Sequence, residues 1–132
     1  MALRIVRLGS PRAADEGLRI GTVRRPPRGV PKVDFARRDF YDTWLPNLAP
    51  SEELLKGALQ AASNKDLRAW RQFARRYRME MKTPEHRTLI ETLAALSHHA
   101  NFSVGCYCAD EAFCHRSILR ELLAGQGARI VD

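Results

Sequence analysis

Hydrophobic and polar positions alternate in two short runs near the start of the chain. Leu3-Arg-Ile5-Val6-Arg-Leu8, closed by Gly9-Ser10-Pro11, and Leu18-Arg-Ile20-Gly-Thr-Val23 both read as strands, with a polar loop between them. The stretch Arg24-Arg25-Pro26-Pro27-Arg28-Gly29-Val30-Pro31 is broken too often by proline and glycine to be a helix or a central strand. Short helical or irregular pieces follow it. From Pro50 the period lengthens to that of a helix. Ser51 is placed to cap, Glu52 and Glu53 sit against the positive end of the dipole, and Leu54, Leu55, Ala58, Leu59 and Ala62 form an apolar face. A second helix starts near Asp66, with Leu67, Trp70, Ala74, Tyr77 and Met81 on one stripe and Arg68, Arg71, Arg75 and Arg78 largely on other faces. Thr83-Pro84-Glu85 opens a third, which runs to about His99 and is expected to bury Leu89, Ile90, Leu93, Ala94 and Leu96. His98 and His99 close it, where the dipole favours cations.

Phe102 to Cys108 is a compact strand with Phe102, Val104, Cys106 and Cys108 on one face. Ser103 and Gly105 on the other leave room for a close-packed helix. The last helix spans about Phe113 to Ala124, with Ile118, Leu119, Leu122 and Leu123 inward and Gly125 and Gly127 ending it. Ala128-Arg-Ile130-Val131 is a final strand. Strands at both ends with helices between predict one α/β domain over residues 1–132: a small, mostly parallel sheet flanked by helices in a Rossmann-like three-layer arrangement.

Composition narrows the setting. No apolar run is long enough to span a membrane, and Met1 to Arg7 lacks the apolar core of a secretory leader. The three cysteines are an odd number, and Cys106 and Cys108 on one strand face are poorly placed for a disulfide. Reduced thiols and a cytoplasmic location are therefore expected. The net charge of +7 is concentrated in residues 1–40, which carry ten Lys/Arg against four Asp/Glu. Arg19, Arg24, Arg25, Arg28, Lys32, Arg37 and Arg38 make up that excess, a pattern suited to polyanions or phosphorylated ligands and equally to a basic soluble surface.

Candidate chemistry gathers at the hand-over from the Phe102 strand to the last helix. Cys114 falls at the helix start, where unpaired N–H groups and the dipole stabilise a thiolate, and His115 and Arg116 follow it. Cys114 and His115 are the candidate catalytic pair. If the Leu18 and Phe102 strands are parallel neighbours, the loops after them open at the same carboxyl edge, where α/β sheets bind ligands. Arg24, Arg28 and Arg116 then converge on a phosphate or carboxylate with Ser117, while Cys108 lines the pocket and Asp110 orients an arginine or simply caps the helix. Cys114-x5-Arg120 has the spacing of a phosphatase loop but none of its glycines. Cys106, Cys108, Cys114 and His115 offer four metal donors, yet an adjacent Cys-His pair and a strand Cys-x-Cys are unusual spacing for one tetrahedral ion, and no metal is assigned.

These residues resemble a family. Cys108-Ala109-Asp110, a short gap, then Cys114-His115-Arg116-Ser117 leading an aliphatic helix is similar to the domain-of-unknown-function 488 family. Pro27-Arg28-Gly29-Val30, Trp44-Leu-Pro-Asn-Leu48-Ala-Pro50-Ser51 and Trp70-Arg-Gln-Phe73-Ala-Arg-Arg-Tyr77 resemble its YeaO-like branch. The resemblance implies a compact α/β domain of cytoplasmic bacterial type and supplies no activity or cofactor. Val23 stands where the family often has Asp, and Pro26 where it often has Trp. The expectation is an anion-binding domain, extending to a small enzyme on a phosphorylated or nucleotide-like ligand if Cys114 is activated. The alternative is a nucleic-acid-binding or regulatory module using the N-terminal basic patch and the arginine face of residues 68–78.

Overall fold

The two alternating runs form β1 (Leu3–Arg7) and β2 (Leu18–Gly21). They are followed by β3 (Thr43–Trp44), α1 (Glu52–Asn64), α2 (Leu67–Met81), α3 (Pro84–Leu96), β4 (Phe102–Cys106), α4 (His115–Gly125) and β5 (Ile130–Val131). The computed structural model describes the backbone of residues 1–132 and the side chains of all but positions 58, 61 and 62. Every strand pairing is parallel, in the order β3-β2-β4-β1-β5. The α/β expectation is met, and the Leu18 and Phe102 strands are indeed parallel neighbours, with Ile20 opposite Val104. The two-residue β3 lies in a stretch with no alternation, and its pairing with β2 is set by position rather than pattern.

All four helices pack on one face of the sheet. The expected three-layer arrangement is therefore not formed, because the chain between β2 and α1 that covers the other face is too broken by proline and glycine to be helical. Leu3, Ile20, Phe102 and Val104 meet Leu54 of α1, Phe73 and Tyr77 of α2, Ile90 and Leu93 of α3, and Ile118, Leu119 and Leu123 of α4 in one core. The α2 stripe is the expected one over Trp70, Ala74, Tyr77 and Met81, with Phe73 added and Leu67 lost. Phe73 is buried with Ala74, Tyr77 and Met81, while Leu67, in the first turn, is exposed. Leu59 and Leu96 are also exposed, contrary to expectation. At the end of α3 the inward position belongs instead to Ser97, whose hydroxyl donates to the Ala94 carbonyl (2.6 Å) and accepts from the Arg129 N–H (2.8 Å). Ser51 caps α1 through the Leu54 N–H as expected. Ala58 and Ala62 lie outside the described side chains.

The other face is covered by irregular chain, including a 3₁₀ turn at Lys32–Asp34, with Phe35, Phe40 and Tyr41 packed against Val6, Leu8, Val23 and Tyr107. No helix approaches Gly105 there. A Cβ at that position would lie 2.7 Å from Leu8 Cδ2 and 2.9 Å from Val6 Cγ2, so the missing side chain makes room for β1. The Tyr41 ring covers Gly21 just as closely, 2.4 Å from where a Cβ would stand.

This second face holds a buried ion pair. Arg19 is 0 % exposed and donates through Nε and Nη2 to the two carboxylate oxygens of Glu16 (2.6 and 2.9 Å). Its Nη1 donates to the carbonyls of Ser10 (2.8 Å) and Asp39 (2.7 Å). Glu16 also accepts from the Ser103 hydroxyl at 2.8 Å. Arg19 thus ties the β1–β2 loop and the Asp39 turn to the sheet, and it is no part of a surface patch. Among the described residues no helix is long and apolar enough to cross a membrane.

Candidate functional site

β2 and β4 end side by side at the carboxyl edge, and α4 starts beneath them. Thr22, fully buried, reaches the Gly105 carbonyl with both its N–H and its hydroxyl (3.0 Å each). The Thr22 carbonyl accepts from His115 Nε2 at 2.7 Å. A carbonyl can only accept, so Nε2 carries the proton and Nδ1 presents a lone pair. The Tyr77 ring packs edge-on to the imidazole at 5.6 Å, and burial pulls the His115 pKa down to about 4, keeping the ring neutral.

Cys106 and Cys114 lie beside that lone pair, and Cys108 stands on the outer side of Cys106. Cys106 ends β4, Cys108 lies two residues on, and Cys114 is the residue before α4. Cys106 Sγ donates to Cys108 Sγ at 3.8 Å, and Cys114 Sγ lies 3.9 Å from His115 Nδ1. The hydrogen bond donated by Cys106, and then the nearby Cys114 thiol, pull the Cys108 thiol below its usual range. Cys114 is pushed up, first by Cys106, then by Cys108 and by burial, and Cys106 is pushed up to about 11 by its bond to Cys108. The expectation that the helix dipole activates Cys114 is therefore not what the packing favours. Cys114 is 1 % exposed and acts as a donor, whereas Cys108 is half-buried and faces the edge.

Arg116 is 4 % exposed, and its Nη1 donates to the carbonyls of Cys106 (3.2 Å) and Cys108 (2.7 Å). Among the described residues its buried Nε has no hydrogen-bond partner, and Glu111 Oε1 comes only to 3.9 Å. Glu111 is held instead by a forked pair from Arg120 (2.8 and 3.0 Å). Asp110 caps the turn over 111–113 through the Ala112 N–H, and the Ser117 hydroxyl donates to the Cys114 carbonyl. Both are occupied with local backbone.

The expected arginines do not converge. Arg24 donates to the carbonyls of Pro50 (3.1 Å) and Ala49 (3.2 Å), and lines a 190 Å³ cleft with Ser51, Glu80, Thr83 and His86. Arg28 lines a separate groove of 380 Å³ with Pro26, Pro27, Phe40 and Tyr107. The loop after β2 and the loop after β4 do meet in that groove, where the Tyr107 hydroxyl donates to the Arg25 carbonyl at 2.9 Å. Phe40 and Tyr107 were not singled out by sequence reasoning. Their aromatic rings beside a Pro-Pro-Arg loop were the available clue. A second groove of 650 Å³ opens on the other side of Pro26, between Lys32, Phe35, Tyr41 and Trp44.

Fold and site define the class: an open parallel α/β domain with a buried thiol–imidazole cluster and an aromatic groove at the carboxyl edge of its sheet. The family model described as the active DUF488-N3 subclade matches residues 3–127, and the chain belongs to the DUF488 family. That description does not speak to a YeaO-like branch. No curated protein and no solved structure matches the chain.

Proposed function

We propose that the protein binds a planar, anionic, nucleotide-like molecule in the groove at the carboxyl edge and acts on it with the thiol–imidazole cluster alongside. The carrying observation is the groove itself. Two prolines and two aromatic rings bound a 380 Å³ space, large enough for a small ligand, with the Arg28 guanidinium at its wall. A flat ring stacks on Phe40 or Tyr107, and its phosphate or carboxylate pairs with Arg28. No cysteine lines the groove itself; Cys108, the least buried of the three thiols, follows the groove residue Tyr107 in the chain and is the one we assign to a bound molecule. Cys114 and His115 stand behind it, and Arg116 fixes the Cys106 and Cys108 backbone. The three unpaired cysteines favour a reducing compartment such as the cytoplasm.

Calorimetry with nucleoside monophosphates and the matching nucleosides tests this reading. Phosphate-dependent binding that Arg28→Ala weakens about tenfold or more supports it, since a charge-assisted pair contributes roughly 1.5–3 kcal/mol. Equal binding by nucleoside and nucleotide, or an unaltered affinity in the variant, sinks it.

One observation favours the alternative, nucleic-acid binding. Arg68, Arg71 and Arg75 of α2 line a shallow 480 Å³ groove with Gln72. Contact with a phosphate backbone there gives affinity that falls steeply with salt, and Arg71→Ala plus Arg75→Ala flattens that slope by about one unit per lost contact. No shift of a single- or double-stranded probe at low salt disposes of it.

A further inference from the structure

The sequence spacing of the cysteines and His115 argues against one tetrahedral ion, and the fold removes that objection. Cys106 Sγ, Cys114 Sγ and His115 Nδ1 lie within 4.8 Å of one another, and all three residues are buried. In a tetrahedral zinc site, with metal–sulfur bonds of about 2.3 Å and metal–nitrogen bonds of about 2.0–2.1 Å, neighbouring donor atoms stand about 3.6–3.8 Å apart. The Cys114–His115 separation of 3.9 Å is close to those edges, and Cys108 Sγ, outside the group of three, stands 3.8 Å from Cys106 Sγ. Adjacent residues reach this arrangement because Cys114 has extended backbone (φ −126°, ψ 144°) while His115 begins the helix. The two side chains therefore leave the backbone in directions that a single helix or strand does not offer.

The surroundings suit a cation as well. The His115 Nε2–H is anchored on the Thr22 carbonyl at 2.7 Å, which fixes the ring and turns the Nδ1 lone pair into the cluster. Histidines that ligate metals are held by such a bond on the other ring nitrogen. Arg116 supplies the balancing charge. Three thiolates around a divalent ion carry one net negative charge, and the Arg116 guanidinium is a buried positive charge with an unpartnered Nε, bonded to the backbone of two of the cysteines. A buried cation without a close carboxylate is expensive unless something nearby is negative.

We propose that Cys106, Cys114 and His115 bind a soft divalent cation of the zinc type, with Cys108 in the fourth position on the more exposed side. Three buried ligands and one accessible position are how a metal that takes part in a reaction is held, because the fourth donor can give way to water or substrate. Binding is coupled to loss of the thiol protons, which pass to solvent. The inference does not depend on what occupies the aromatic groove.

The test uses the full chain, reduced and treated with chelator, then titrated with Co²⁺ alone and afterwards with Zn²⁺. The expected result is one Co²⁺ per chain, with the intense visible bands of tetrahedral cobalt and a thiolate-to-metal charge-transfer band, both erased by Zn²⁺. Cys114→Ser and His115→Asn lower the affinity at least tenfold. Cys108→Ser, at the less buried position and so the variant least prone to misfold, keeps a tetrahedral spectrum with shifted bands and a weaker charge-transfer band. Arg28→Ala leaves the cobalt spectrum unchanged, which separates this site from the groove ligand. Only the weak spectrum of octahedral cobalt in the wild type, binding short of one ion per chain, or a Cys108→Ser spectrum identical to wild type overturns the assignment.

Discussion

Arg19→Met is the most exposing single change to this fold. Methionine retains much of the arginine stem but none of its donors, so the loss is almost entirely electrostatic and hydrogen-bonding. Four N–H···O contacts disappear: two to Glu16, one to the Ser10 carbonyl and one to the Asp39 carbonyl. Glu16, 3 % exposed, is left with the Ser103 hydroxyl at 2.8 Å and the Ala13 N–H at 3.3 Å. Removing one member of a buried pair costs about 3–5 kcal/mol, because the survivor stays desolvated. Set against a total stability of about 5–15 kcal/mol for a single domain, that is a large share. Urea unfolding, read as ΔG with the m-value checked for constancy, measures it. The double variant Arg19→Met/Glu16→Leu removes both charges together and is expected to be more stable than Arg19→Met alone. A single variant within about 1 kcal/mol of wild type, or a double variant no better than the single, refutes the reasoning.

The pH dependence sharpens the test. Burial opposes ionisation of Glu16, but the bonds from Arg19 and Ser103 outweigh it, so its pKa in the fold lies below the ordinary value. A depressed carboxylate contributes stability that is present above the unfolded pKa of about 4.3 and is lost as pH falls through the folded pKa. Without Arg19 the same buried carboxyl prefers its proton, and acid relieves the variant. The stability gap between wild type and Arg19→Met therefore narrows as pH falls, first above about 4.3 as the variant's carboxyl takes up its proton and then below it as the wild type loses its depressed carboxylate. A gap that widens in acid contradicts the assignment.

Three other changes probe separate parts of the molecule. Gly21→Ala places a methyl 2.4 Å from the Tyr41 ring and is expected to cost about 1–3 kcal/mol by overpacking, measured by the same unfolding curves. Tyr77→Phe removes the hydroxyl that donates to the Leu48 carbonyl at 2.6 Å between α2 and the start of α1, leaving a buried acceptor unpaired for about 1–3 kcal/mol. In chelator-treated native protein, peptide mass spectrometry after timed alkylation is expected to find Cys108 labelled first and Cys114 only on unfolding, as their exposures dictate. Early labelling of Cys114 contradicts its burial.

What the sequence made legible follows the physics of each signal. β1, β2 and β4 carry strong alternation or apolar runs, and α3 opens with Thr83-Pro84-Glu85, so those strands and the start of α3 are readable within a residue or two, while α3 ends three residues before His99. β3 was not, because two residues are too short for a period and only the β2 edge makes them a strand. Arg19 was misread for a related reason. One arginine in an alternating strand looks like a solvent-facing residue, and its acceptors come from Glu16 and from the Ser10 and Asp39 carbonyls, whose positions only the tertiary fold reveals. The cysteine cluster was legible as a place, since three thiols and a histidine crowd one strand-to-helix turn. Its internal hierarchy was not. The dipole argument favours Cys114, while burial and donor direction favour Cys108, and these depend on what packs around each sulfur.

The fate of the N-terminal charge bears most directly on function. Among the described residues, Arg4, Arg12, Arg19, Arg25 and Arg37 pair with carboxylates, and Arg24 is taken by backbone carbonyls. Arg38 lies over the Phe40 ring at 5.8 Å, and Arg28 stands on the groove that Phe40 lines. A basic segment spent largely on its own fold makes a poor counterion field for a long polyanion, which gains affinity from each phosphate it neutralises. Two guanidiniums beside one aromatic groove instead suit a compact anion with a flat face. Nucleotide affinity that changes only modestly between low and moderate salt, by the equivalent of one or two contacts, follows from that arrangement. A steep slope assigns the binding to the arginines of α2, on a different surface from the cysteine cluster, and separates the site's chemistry from whatever that helix holds.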